Sequence, residues 1–317
     1  MTQRVAVTGA SGFVGRAVCR ALQAHGHDVV ALSRRPPIGW AGEWRAVGDL
    51  AMPQDWSAAL RGAGAVVHLA AAVHDTSGRT AEAHYYRVNA AAAGELAAAA
   101  VLAGVATFVL VSSIKAQGEA SLAGPFRAGD PPRPLDAYGR SKLAAERALT
   151  KVATEASSLR ACIVRPPLVY GPHVGANFLA LMAAARAGRS LPLGAVTAKR
   201  SFVYVENLAD LIVRAIETSP ASEDVLLVSD GEDVTVPDLY GRLARACGRP
   251  APWLPAVPVP VLKAVAGVLG RGAAIGRLTQ PLQVDIEATC RSLRWRPPYS
   301  LDDGLEKTCH WFETTQT

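Results

Sequence analysis

Thr8-Gly9-Ala10-Ser11-Gly12-Phe13-Val14-Gly15 is the stretch whose reading decides the fold. Before it, Arg4 to Thr8 (RVAVT) is an apolar run suited to a buried strand; after it, Val14 to Ala24 repeats apolar residues at helical spacing. Strand, glycine turn and helix in that order form the context in which a G-x-x-G-x-x-G triplet binds a dinucleotide. One glycine lets the chain turn tightly, another lets backbone N–H groups approach a pyrophosphate, and the helix N-terminus supplies positive potential. The expected cofactor contacts are therefore Gly9, Ser11, Gly12, Phe13, Val14 and Gly15.

Further apolar runs follow at Asp28 to Leu32 (DVVAL), Ala65 to Ala71 (AVVHLAA) and Thr107 to Ser112 (TFVLVS), each separated by helical or loop-like sequence. Fully apolar strands alternating with helices predict an α/β fold, a Rossmann-like doubly wound parallel sheet covered on both faces. The alanine-dominated, proline-free stretch Ala81 to Ala103 predicts one long helix, either a buried core helix or a dimer-forming one. Past about Pro166 the alternation loosens, though Arg200 to Val205 and Leu226 to Val228 still read as strands. The expected organisation is a cofactor-binding core over 1–170, joined by elements from 200–230, with a smaller C-terminal substrate-binding lobe over 171–199 and 231–317.

Composition narrows the function classes. With 50% hydrophobic and 19% charged residues, the 317-residue chain is an ordinary globular one. The formal charge of +6 comes from dispersed basic residues rather than a run interleaved with aromatics, so no nucleic-acid partner is expected. Cys19, Cys162, Cys247, Cys290 and Cys309 stand singly, which argues against a disulfide framework or a metal site and for a reducing, cytoplasmic setting. No signal segment or transmembrane segment is expected: the longest apolar stretch, Ala256 to Gly276, is broken by Pro258, Pro260, Lys263 and Arg271, leaving a surface-lying helix as the alternative.

The end of the second strand bears on which dinucleotide binds. A carboxylate there accepts from the ribose hydroxyls of NAD, whereas Arg accommodates the extra phosphate of NADP. Here stand Ser33-Arg34-Arg35 and no acid, so NADP(H) is preferred, with NAD(H) as the alternative. Asp49-Leu50 would set a carboxylate against the adenine.

Tyr138-Gly-Arg-Ser-Lys142 opens the helical run Ser141 to Leu149, and side chains four apart share a face. A lysine ammonium nearby is expected to lower a tyrosine hydroxyl from its usual value near 10 towards neutrality. Ser113, at the end of a predicted strand, is placed to bond a substrate carbonyl oxygen.

With these motifs in hand, the sequence resembles the extended short-chain dehydrogenase/reductase family, in its nucleotide-sugar epimerase, dehydratase and reductase branch. The resemblance runs through TGASGFVG, Asp49-Leu50, VVHLAA, YRVN (Tyr86 to Asn89), VSSIKAQGE, YGRSK, RPPLVYGP, Asn177, RSFVYVENLAD and RWRPPYSLDDGL. It implies Ser113, Tyr138 and Lys142 as the catalytic triad, with Tyr138 as general acid/base and Lys142 also at the nicotinamide ribose. It further implies that Leu69, Ala70, Ala71 and Pro166 border the cofactor, and that Asn177, Arg200 and, more loosely, Arg277 contact a sugar diphosphate. A homodimer and a UDP-linked substrate are expected on the same ground.

One departure from the family is informative. Its 4,6-dehydratases carry Thr-Asp-Glu where this chain has Ser113-Ile114-Lys115, and neither Ile nor Lys replaces the acid pair that eliminates water. The leading expectation is NADPH-dependent reduction of the C4 ketone of a UDP-4-keto-6-deoxy-hexosamine. The alternatives are a UDP-hexose or UDP-N-acetylhexosamine 4-epimerase with retained NAD, or a non-catalytic NADP(H)-sensing protein. Among the histidines, His68 is expected in the core, and His74 and His84 in exposed loops.

Overall fold

In the computed structural model, which describes residues 2–73, 80–218, 225–268 and 272–315, the first strand β1 (Arg4–Thr8) is an interior strand of the main sheet. Its alternating side chains feed two cores. Val5 and Val7 pack on one face with Val18 and Leu22 of α1 (Phe13–Ala24), while Ala6 faces the other side with Val30 and Val66. Apolar residues on both faces are what a buried parallel strand requires.

The remaining strands of this sheet are β2 (Asp28–Ser33), β3 (Glu43–Ala46), β4 (Ala65–His68), β5 (Thr107–Val111), β6 (Arg160–Arg165) and, later in the chain, β9 (Val225–Leu227). Their order is β3-β2-β1-β4-β5-β6-β9, and every pairing is parallel. The order reverses between β1 and β4, which opens a crevice at their carboxyl ends, the place where such sheets bind ligands. A second, three-stranded sheet, ordered β10-β8-β7, contains β7 (Leu168–Tyr170), β8 (Lys199–Tyr204) and β10 (Asp233–Thr235).

Three elements depart from the sequence expectation for identifiable reasons. β4 stops at His68 rather than Ala71, because the N–H groups of Leu69 and Ala70 turn to the Thr8 hydroxyl, at 3.2 and 3.3 Å. The helix expected over Ala81 to Ala103 is α2 (Glu82–Tyr85) and α3 (Ala92–Leu102) joined by a π-helical turn, Tyr86–Ala91. That wide turn contains Asn89, whose amide donates to Ser141 Oγ at 2.9 Å and accepts from Ala72 N at 2.7 Å. The helix carrying Tyr138 is longer than its apolar run, α4 (Ala137–Glu155), because Asp136 caps it.

The second half adds α5 (Ala176–Arg186), α6 (Val205–Glu217), α7 (Val236–Ala246), α8 (Val259–Val268), α9 (Gly272–Thr279), α10 (Glu287–Leu293) and α11 (Leu301–Thr315). α7 packs beside α11, and their cysteines correct the expectation of unpaired thiols. Cys247 and Cys309, 62 residues apart, form a disulfide with Cα atoms 5.5 Å apart. Single cysteines far apart in sequence carry no spacing signal, so only the packing of the two helices reveals the pair. Among the described residues, no helix is long and apolar enough to cross a membrane.

Candidate active site

β5 ends at Val111, and the next two residues go separate ways. Ser112 turns inward and donates its hydroxyl to the buried Glu146 carboxylate. Ser113 accepts from Lys115 N at 3.2 Å, opening a short 3-10 turn, and shares a side-chain hydrogen bond with Tyr138. The two adjacent hydroxyls are thereby distinguished: only Ser113 of the pair meets the tyrosine.

Tyr138 is fixed by the first turn of α4. Asp136 Oδ1 accepts from Gly139 N at 2.6 Å, while its other oxygen receives Lys115 Nζ at 2.6 Å. Lys115 also donates to Glu119 at 3.0 Å, so both nearby carboxylates are engaged by one ammonium. Gly139 is needed here: a Cβ at this position would stand 2.5 Å from the Lys115 carbonyl oxygen. The Tyr138 ring meets Tyr85 edge-on, with centroids 5.9 Å apart.

Lys142, one turn further along, is buried and donates to Val111 O at 2.9 Å. Burial lowers its pKa to about 8, against the charge of Glu146, which raises it. Burial of the Tyr138 hydroxyl pushes it up to about 12; the Ser113 hydrogen bond pulls it down, and the charges at Asp136 and Tyr85 push it up. The expected lowering of Tyr138 by lysine is thus corrected. The ammonium is turned to a main-chain oxygen, and desolvation of the phenol dominates.

The glycine loop fits a pyrophosphate. Gly9 has φ of +68°, and a Cβ there would lie 2.8 Å from Ala70 N; at Gly15 a Cβ would run into the Gly9 carbonyl oxygen. α1 starts after Gly12 with neither a side-chain cap nor an acidic residue in its first turn. Its N-terminal N–H groups, from Phe13 onward, suit an anion, and Ser11 is exposed beside them. The Thr8 hydroxyl ties this loop to the opposite wall, meeting His68 Nδ1 at 2.7 Å as well as Leu69 and Ala70. His68 is buried, and burial plus the charge of Lys142 lowers its pKa to about 3, so it stays neutral.

Other expected positions divide. Arg34 and Arg35 stand exposed after β2, and among the described residues neither has an ion-pair partner. The Ser33 hydroxyl is already engaged: it donates to Arg35 O at 2.6 Å and accepts from Trp44 Nε1 at 3.2 Å. Asp49 is exposed and accepts from Ala51 N at 3.0 Å, while Leu50 is buried. Ala71 is partly exposed, and buried Pro166 accepts from Ile114 N at 2.9 Å, joining its segment to the Ser113 turn. Arg200 and Arg277 come together, Arg200 donating to Arg277 O at 2.6 Å and to Gln280 O at 2.8 Å. Asn177 is exposed in the first turn of α5, and no hydrogen bond among the described residues joins it to that pair. His84 is exposed on α2 rather than in a loop, and His74 lies outside the described residues.

The expectation omits the scaffold beneath the site. Glu146, Arg165 and Gln117 are buried together, with Arg165 Nε 2.9 Å from Glu146 Oε1. Glu146 sits four residues after Lys142 on the same helix, the one sequence signal that pointed to it. Arg165 and Gln117 become its partners only through the fold.

The sequence and the overall fold both have counterparts among known proteins. The model of the NAD dependent epimerase/dehydratase family matches residues 5–227. UDP-glucose 4-epimerase of Vibrio cholerae is 38% identical over 317 residues, covering 98% of this chain and 96% of that protein. N-acetyl-alpha-D-glucosaminyl-diphospho-ditrans,octacis-undecaprenol 4-epimerase of Escherichia coli O157:H7 is 25% identical over 328 residues, covering 98% of this chain and 96% of that one. Among solved structures, MoeE5 in complex with UDP-glucose and NAD superposes with a TM-score of 0.80 at 28% identity, covering 99% of this chain and 100% of that one.

Proposed function

From the premise that the chain belongs to the NAD dependent epimerase/dehydratase family, we propose that it inverts C4 of a UDP-linked hexose or N-acetylhexosamine through a 4-keto sugar. The observation that carries this reading is the near-complete alignment, at 38% identity, with a UDP-glucose 4-epimerase. It ranks the epimerase above the net reduction that the sequence alone put first.

Ser113, Tyr138 and Lys142 supply the acid–base chemistry. The bound dinucleotide would accept the C4 hydrogen with its electron pair and give it back to the opposite face of the ketone once the sugar has turned. In the oxidation half the Tyr138 oxygen, as the phenolate, takes the proton of the C4 hydroxyl, and the phenol so formed returns it to the ketone oxygen in the reduction half; burial, which pushes the phenol up to about 12, opposes the first step and the Ser113 hydrogen bond favours it. Ser113 steadies the ketone oxygen through its hydroxyl, and the Lys142 charge favours the proton-accepting direction. Elimination of water lacks its acid pair: Ile114 is buried, and Lys115 already neutralises Glu119 and Asp136.

We assign the pyrophosphate to the 9–15 loop, the adenine to Asp49-Leu50, and the cofactor walls to Leu69, Ala70, Ala71 and Pro166. The substrate diphosphate goes to Arg200 and Arg277, with Asn177 at its edge, in a lobe formed by 171–199 and 231–317. The exposed Leu102 on α3 supports a homodimer through that helix.

A second reading, NADPH-dependent reduction of a UDP-4-keto-6-deoxy-hexosamine, is favoured by one feature: Ser33-Arg34-Arg35 carries no carboxylate after β2, and neither arginine has an ion-pair partner among the described residues. One experiment separates the two. The purified protein is given UDP-glucose or UDP-N-acetylglucosamine without reductant, and separately the 4-keto-6-deoxy sugar with NADPH. Appearance of the C4 epimer in the first supports the epimerase; no epimer there, with stoichiometric NADPH oxidation in the second, replaces it with the reductase.

A further inference from the structure

The chain contains no Asp or Glu between Glu155 and Glu206, and none between Asp238 and Asp285. The two acid-free stretches meet in space: Ser190 Oγ donates to Trp253 O at 2.8 Å, Tyr240 OH to Arg189 O at 2.8 Å, and Gly194 N to Pro255 O at 3.0 Å. Arg189, Arg245, Arg249 and Lys263 are exposed on them, and among the described residues none has an ion-pair partner. Arg242, also on α7, shows the contrast, being matched by Glu232, Asp238 and Asp302.

The same two stretches carry uncovered apolar surface. α8 buries Leu262 and Ala266 and turns Val261, Val265 and Val268 outward, at 49%, 55% and 89% exposure. Positions 261, 265 and 268 share one stripe of a helix. Trp253, in the loop before α8, is 76% exposed.

We propose that this face docks on an anionic phospholipid surface. The indole sits at headgroup level, the valines reach the acyl boundary, and the arginines and lysine meet lipid phosphates. A second copy of this chain would also cover the valines, but it would bring the same uncompensated cations face to face, which opposes association. The absence of every carboxylate from both stretches selects a negatively charged occupant.

The test is co-sedimentation of the full chain with vesicles of phosphatidylglycerol and phosphatidylcholine in about equal parts, against phosphatidylcholine alone, at low salt and at about 0.5 M salt. The expected result is partition into the anionic vesicles that falls on the order of tenfold in high salt or without phosphatidylglycerol. Arg245→Glu with Arg249→Glu, and separately Val265→Asp with Val268→Asp, should each lower partition by a similar factor. Both variants should keep the wild-type melting temperature and turnover of soluble UDP-sugar. Absence of vesicle binding, equal binding to both lipid compositions, or indifference of folded variants would overturn the proposal. So would a concentration-dependent dimer broken by Val265→Asp in a protein that ignores vesicles, which would assign the face to a second copy.

Discussion

Glu146 and Arg165 form an ion pair beneath the candidate site, with Arg165 Nε 2.9 Å from Glu146 Oε1 and side-chain exposures of only 4% and 5%. The same carboxylate accepts from Ser112, next to Ser113, and its charge supports the ammonium of Lys142. A buried pair adds little net stability when intact, but losing one partner leaves an unmatched buried charge. Glu146→Gln should therefore destabilise the protein by about 3–5 kcal/mol, visible in chemical denaturation. It should also lower the Lys142 pKa further, so that the alkaline limb of the rate profile moves to lower pH. A stable variant with an unmoved limb would show that Glu146 supports neither.

Lys142 gives a pH dependence whose sign is fixed by its shift. Its pKa falls from 10.5 in the unfolded chain to about 8 in the folded one. Below pH 8 both states carry the charge and the folded state bears its desolvation; between about 8 and 10.5 only the unfolded state stays protonated, so rising pH relieves the cost. Lys142→Met should thus raise the melting temperature at pH 6.5 and lose that advantage by pH 10. Wild-type turnover should decline with a midpoint near 8 as the ammonium is lost. A melting difference equal at both pH values would refute the assignment.

The sequence made the Rossmann-like core readable because apolar strands and glycine turns are local signals. RVAVT, the glycine triplet and the strand ends near Ser33 and Val111 all lie where periodicity and turn chemistry put them. What it concealed is long-range. Asn89 reaching Ser141, Thr8 reaching Leu69 and Ala70, and Arg165 finding both Glu146 and Gln117 depend on strands brought side by side. The Tyr138 shift was misjudged for a related reason. Spacing places Lys142 on the same helix face, but the Val111 carbonyl that draws its ammonium belongs to another strand.

Gly139 tests how tightly the first turn of α4 is set. A Cβ there would lie 2.5 Å from Lys115 O and 3.1 Å from a Pro134 side-chain carbon, and the opposing backbone atom has little freedom to retreat. Gly139→Ala should shift the turn and move Tyr138 off Ser113. Misplacement of a reacting group by about 1 Å costs on the order of 10²-fold in rate. The expected signature is a fall in kcat with little change in KM, and a variant with normal kcat would contradict the tight packing at this turn.

Arg34 and Arg35 report on the cofactor. If they face the ribose phosphate of NADP, replacing both with Ala removes charge-assisted hydrogen bonds contributing about 1.5–3 kcal/mol, or roughly 10- to 150-fold in affinity. Titration of tryptophan fluorescence should show weaker NADPH binding by that factor and unchanged NADH binding. Equal effects on both cofactors, or none, would leave the arginines as surface residues.

Cys247 and Cys309 close a 62-residue loop between α7 and α11. In the chain-entropy account, a cross-link of that span stabilises by about 4 kcal/mol, mainly by restricting the unfolded chain. Both cysteines are buried, at 6% and 0% exposure, so reductant should reach the bond only through opening of the lobe. Thiol titration of protein denatured without reductant should then find only Cys19, Cys162 and Cys290, while prior reduction exposes all five cysteines. Cys247→Ala should lower the denaturation midpoint in oxidising buffer and lose most of that difference from the wild type under strong reductant, because reduction brings the wild type down to meet it. Five reactive thiols before reduction would show that the two helices pack without the bond, and the stability difference should vanish with it.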